Sequence, residues 1–85
     1  MRRKLLLGNW KMNKTISEAK EFAEASKELV EFAHNHNIDL GVTPTFLCLD
    51  VVRKTNPNII VGAQNVNDKD SGAFTGEISI PMLKE

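Results

Sequence analysis

Little in this chain offers chemistry of its own. Its one cysteine, Cys48, cannot close a disulfide within the chain, which fits a reducing, cytoplasmic setting. Cys48 reads as a small buried hydrophobe on a helix rather than as a nucleophile. The two histidines, His34 and His36, flank Asn35 without a convincing third ligand, so no metal is expected. Both read as helix-end residues, where a cation also suits the helix dipole. Eleven basic and eleven acidic side chains cancel, which argues against an electrostatically driven nucleic-acid binder. No segment approaches the ~20 apolar residues of a transmembrane helix, and the apolar run behind Met1-Arg2-Arg3-Lys4 is too short for a signal peptide. Neither a nucleic acid nor a membrane is an expected partner. No Walker-type or Rossmann-type glycine motif is present, so no nucleotide cofactor is expected. Asp50, Glu77 and the helix glutamates show no paired-carboxylate spacing suited to acid–base work. There is no linker, low-complexity tract or separate domain boundary within residues 1–85.

What the chain does contain is an alternation of short apolar runs with amphipathic stretches. Lys4 to Asn9 reads as a first strand, apolar on successive residues as strands buried on both faces are. Thr15-Ile16-Ser17-Glu18 has capping-box form, with Ser17 as a rival cap. Beyond it Ala19, Phe22, Ala23, Ser26, Leu29, Val30 and Ala33 repeat at the three-and-four spacing of one buried helical stripe. Glu18, Glu21, Glu24, Glu28 and Glu31 fall off that stripe, on a solvated face. His34 to Asn37 breaks the helix, and Ile38 to Val42 reads as a second strand. Thr43-Pro44-Thr45 turns into a second helix, Phe46 to about Thr55, ended by Asn56-Pro57-Asn58. Ile59 to Ala63 is the most β-rich run and the third strand. A long loop follows from Asn65 to Ile78, with Gly72 and Gly76 as backbone pivots. Ser79 can cap a further helix carrying Pro81 in its first turn. Strands alternating with helices predict a parallel α/β sheet with right-handed crossovers. Three strands cannot close a barrel, so open edges and poor stability in isolation are expected.

The most informative string is Gly8-Asn9-Trp10-Lys11-Met12-Asn13, directly behind Leu5-Leu6-Leu7. It places an amide and an ammonium two residues apart where a strand ends, and in barrel and open α/β folds substrates sit at that end. Side chains alternate along a strand, so residues 9 and 11 are expected to point one way and Trp10 the other. Asn9 and Lys11 could then address one anion together; alternatively Lys11 is a solvated loop cation and Trp10 a core anchor. Gln64 and Asn65, ending the third strand on the same side, are second-line site candidates, or they hydrogen-bond neighbouring loops. From the residues alone, the chain is part of an α/β enzyme that binds an anion.

Two further strings follow in order, Gly62-Ala63-Gln64-Asn65-Val66 and Gly72-Ala73-Phe74-Thr75-Gly76-Glu77. With the first, they make the chain resemble the N-terminal part of the triosephosphate isomerases, from about residue 4 to residue 85. The resemblance implies the first three strands and two-plus helices of a (β/α)8 barrel. Such a barrel typically needs about 250 residues, so the expectation is a fragment of roughly one third. The remainder would be supplied by a longer chain or by a complementary one, and a non-catalytic fragment that folds only against such a partner is the alternative reading.

The family interconverts dihydroxyacetone phosphate and glyceraldehyde 3-phosphate, a step of glycolysis and gluconeogenesis, and is a standard example of pKa tuning and loop closure. By resemblance, Lys11 is the lysine whose charge stabilises the bound phosphate and the developing enediolate, and Asn9 its substrate-binding partner. The family's electrophilic histidine, catalytic glutamate, mobile lid and later phosphate-binding backbone belong to segments beyond Glu85. His34, His36 and Glu77 stand in the wrong motifs to replace them, so this chain alone is expected to be inactive. The resemblance further implies a homodimer gripped by the loop from Asn65 to Glu77. Its interface residues would be Gln64, Phe74, Thr75, Gly76 and Glu77, received near Thr45 and Phe46.

Overall fold

In the computed structural model, which describes residues 2–85, the first six-residue run forms β1, Lys4–Asn9. Met1, the first residue of the basic start, lies outside the described residues. Two helices follow, α1 (Ile16–Ala25) and α2 (Lys27–Asn35), then β2 (Ile38–Thr43). A 3-10 turn over Phe46–Cys48 leads into α3 (Leu49–Thr55), and β3 (Ile60–Val61) and α4 (Ile80–Lys84) complete the order. The strands form one parallel sheet in the order β1-β2-β3, the α/β pattern of part of a (β/α)8 barrel, and the sheet is not closed.

Local chemistry sets the helix ends. Thr15 caps α1: its hydroxyl accepts from Glu18 N at 3.3 Å, and Glu18 Oε1 accepts from Thr15 N at 2.9 Å. Ser17 is therefore not the cap. These bonds, the backbone N–H of Thr15 first, hold the Glu18 carboxyl below its ordinary value of 4.5. The stabilisation is complete above that value and fades as pH falls through the lower native one. At the far end Asn37 takes φ 61, a left-handed conformation that asparagine tolerates, and its N–H bonds His34 O at 3.1 Å. Arg3 then fastens this corner, donating to Asp39 at 2.9 Å, to Asn37 Oδ1 at 3.3 Å and to His34 Nδ1 at 2.9 Å. The Arg3 guanidinium holds the Asp39 carboxyl below its ordinary range.

Three expectations need correction. The long helix is two, because Ser26 sits at φ −89, ψ −2 and turns its hydroxyl back to Ala23 O at 3.2 Å. Its buried stripe continues through Ala19, Ala23, Ser26, Val30 and Ala33, but Leu29 falls off it and is 58 % exposed. The bend at Ser26 brings Val30 and Ala33, not Leu29, onto the core. The Ser26 hydroxyl also accepts from the buried Asn56 amide at 3.3 Å, which ties α1 to the end of α3.

Second, β1 is not buried: Leu5, Leu6 and Leu7 are each more than half exposed. It is an edge strand of an open sheet, and its successive leucines, which point alternately to the two faces, are left largely uncovered by the described residues. Third, β3 is shorter than the β-rich run predicts. It pairs only Gly41 with Ile60 and Val42 with Val61, and Gly62 N adds one bond to Val42 O at 3.0 Å. The core gathers Ala19, Ala23, Val30, Val42, Cys48, Val52 and Ile59 between the helices and the sheet, with Cys48 buried as expected.

Gly41 lies between Leu7 and Ile60 in the register of all three strands. A Cβ there would stand 2.8 Å from Leu7 Cδ1 and 3.0 Å from Ile60 O. Gly41→Ala should therefore wedge the sheet and destabilise it by about 1–3 kcal/mol. A urea midpoint that falls at unchanged slope is the expected readout; an unchanged midpoint would mean that the strands spread freely.

Candidate functional site

Residues Asn9 and Thr43 face each other at the ends of β1 and β2, and β3 ends one register position earlier. The backbone leaves β1 through Trp10, whose N–H bonds Thr43 O at 3.2 Å. Strand geometry stops at Asn9, so the alternation argument does not place Lys11. Lys11 instead takes φ 56, in the left-handed region that non-glycine residues rarely enter. Its N–H donates to Asn9 Oδ1 at 2.9 Å, a short asparagine turn. Asn9 thus does hold Lys11, but through the backbone.

The rest of this turn is anchored from below. Trp10 is half-buried with its ring edge-on to Phe22, 5.1 Å between centroids and 86° between planes. Lys14, also left-handed at φ 77, lays its ammonium 5.4 Å above the Trp10 ring and 5.8 Å above that of Phe22. Asn13 Nδ2 donates to Trp10 O at 2.7 Å, and the Cys48 thiol lies 3.6 Å from Lys14 O. Trp10 is accordingly the core anchor of the turn, and Lys11 is the cation left on its exposed side. Among the described residues the Lys11 side chain has no ion-pair partner.

Gln64 completes the arrangement. Its Nε2 donates to Lys11 O at 2.8 Å and to Thr43 O at 2.7 Å. It therefore hydrogen-bonds neighbouring loops, one of the two roles open to it in the sequence. Asn65 turns away: its Oδ1 accepts from Val66 N at 2.8 Å. The sheet end thus presents the exposed Lys11 on a backbone fixed by the Asn9 side chain, a cation available to an anion. His34 and His36 lie elsewhere, against Arg3 and Phe32 O respectively.

The family model for triosephosphate isomerase matches residues 4–85. The chain belongs to the triosephosphate isomerase family. It is 50% identical over 86 residues to the triosephosphate isomerase of Clostridium beijerinckii, covering 99% of this chain and 34% of that protein. The Clostridium botulinum (strain Eklund 17B) enzyme is 49% identical with the same coverage, and that of Clostridium perfringens (strain SM101) is 48% identical with the same coverage. The chain therefore spans about a third of the length of the curated relatives it matches.

Within this triosephosphate isomerase segment, the loop after β3 is tied across its neck. Asn67 N donates to Ile78 O at 2.9 Å, and the Asn67 amide bonds the Glu77 carboxylate. Glu77 N closes a turn onto Phe74 O at 3.1 Å. Gly72 and Gly76 have φ of 143 and 84, the pivots expected of them. At Gly72 a Cβ would come within 2.7 Å of the Phe74 ring, so that ring lies folded over Gly72, yet it stays 44 % exposed. Thr45 begins the 3-10 turn, and Phe46 lines an open trough of about 1020 Å3 with Leu49, Ile60, Val61, Met82 and Leu83. The trough runs along the free edge of β3, and neither Asn9 nor Lys11 lines it.

Proposed function

We propose that the complete protein carrying this segment is a cytoplasmic triosephosphate isomerase that interconverts dihydroxyacetone phosphate and glyceraldehyde 3-phosphate. In this reading Lys11 contributes electrostatically to catalysis and Asn9 binds substrate beside it. The observation that carries it is the left-handed Lys11, held by Asn9 Oδ1 on one side and by Gln64 on the other, with no ion-pair partner for its ammonium among the described residues. Backbone strain of this kind costs of order 1–3 kcal/mol and clusters at functional sites. A cation so fixed, in a site closed to water, stabilises a phosphate and a developing enediolate far better than one in bulk water. Proton transfer would fall to residues in the two-thirds of the relatives' length that this chain does not span.

The same reading makes the protein a homodimer. Gln64, Phe74, Thr75, Gly76 and Glu77 would form the gripping face, and Thr45 and Phe46 the receiving one. The exposed leucines of β1 and the trough beside β3 favour a further partner, the remaining barrel segment, along the open sheet edges.

The test is a chimera in which residues 1–85 replace the matching third of the Clostridium beijerinckii relative. It should isomerise triose phosphates, whereas the isolated 85-residue chain should not exceed the buffer rate. A folded chimera without turnover, or turnover by the isolated chain, would overturn the assignment.

A further inference from the structure

We infer that Gln64 is a positioning residue for the reaction: it acts through Lys11, by holding that residue's carbonyl while its side chain stays free. The inference rests on the proposed role of Lys11. A primary amide has two N–H groups on one nitrogen, and here each has a partner, Lys11 O at 2.8 Å and Thr43 O at 2.7 Å. Both partners are carbonyls and can only accept, so the network fixes which end of the amide faces them. Thr43 O then accepts twice, from Gln64 and from Trp10 N at 3.2 Å, and so uses both lone pairs.

The result is a bracket around one residue. The Lys11 N–H is taken by the side chain that ends β1, and the Lys11 carbonyl by the side chain that follows β3. The bracket's footing is the end of β2. With both of its backbone groups engaged, Lys11 is held at φ 56 without glycine. Removing the Gln64 donors frees the carbonyl and lets the turn relax toward ordinary φ, which moves the ammonium. A displacement of about 1 Å in a positioned group can cost on the order of a hundredfold in rate.

The experiment uses the chimera described above, with Gln64→Met, Lys11→Met and the double variant, read by steady-state kinetics and thermal unfolding. Gln64→Met keeps the length of the side chain and removes both donors. We expect it to lower kcat at least about tenfold. In the Lys11→Met background the same substitution should change kcat by less than about twofold, because the group it positions is already gone. A merely structural role lowers the folded fraction in both backgrounds alike, so a loss that repeats beside Lys11→Met overturns the inference. A Gln64→Met variant that sediments as a monomer overturns it too, because its loss then belongs to the dimer interface. So does parent-like activity of Gln64→Met while Lys11→Met is crippled; in that case the proposed role of Lys11 stands. If Lys11→Met itself is parent-like, it is the role of Lys11 that fails, and the inference with it. Should Gln64→Met not fold, the isosteric Gln64→Glu, which also lacks the amide donors, is judged by the same comparison. If neither variant folds, Gln64 is a folding residue and the inference falls.

Discussion

Lys11→Met should cost the chimera about a hundredfold to a thousandfold in turnover while leaving its fold intact. The figure is that of losing one preorganised electrostatic contact, about 2.7–4 kcal/mol of transition-state stabilisation. Methionine keeps much of the lysine stem's volume and removes the charge, so the loss isolates electrostatics. The fold should survive because the contacts that hold residue 11 are made by its backbone, to Asn9 Oδ1 and Gln64 Nε2. The side chain itself is exposed, and its left-handed φ is no worse for methionine than for lysine. Kinetics at saturating substrate, with circular dichroism as the control on folding, decide the matter. Turnover within a few fold of the parent would return Lys11 to the status of a solvated loop cation.

The second large effect concerns assembly. Phe74→Asp with Thr75→Asp should convert a dimeric chimera into a folded monomer of low activity. The loop that carries them is closed on itself by Asn67, Ile78 and Glu77, so its tip is presented ready-shaped rather than ordered on contact. Phe74 is the large apolar group at that tip, and a two-fold interface would bury it twice, once in each subunit. Two aspartates there would lose their hydration without gaining partners, which is strongly destabilising for an interface. The substitutions leave the neck bonds untouched, so each subunit should keep its fold. Sedimentation at micromolar concentration reads the outcome, and an undisturbed dimer would remove this loop from the interface.

Much of this fold was legible before any coordinates, for identifiable reasons. The capping box at Thr15 and Glu18, the glycine pivots at residues 72 and 76, and the Ser79 cap each depend on contacts within a few residues, which sequence displays directly. Leu29, Ser26 and β1 are less legible: Ser26 also meets the distant Asn56, and β1 lacks the neighbours that its pattern anticipates. Leu29 loses its place on the buried stripe to a bend that a serine hydroxyl makes. The leucines of β1 carry the pattern of a strand covered on both faces, but the described residues leave them more than half exposed.

The candidate site shows the same division. Asn9 and Lys11 stand out by spacing, yet the geometry joining them is an asparagine turn with a left-handed lysine, and not strand alternation. Gln64 lies 53 residues from Lys11, and only the pairing of three strands brings them together.

That pairing is thin at β3, where two register positions and one following bond hold the strand. A slip of a single residue in that pairing would carry the chain that follows β3, and Gln64 with it, about 3.3 Å along the strand direction. Its amide would then reach neither Lys11 nor Thr43, and the bracket around the lysine would open. The glutamine thus works as an inspection mark for the sheet: the lysine is held only in molecules whose third strand has locked into the correct alignment. Under the proposed role of Lys11, a misregistered chain would thus lose its anion site without any separate control.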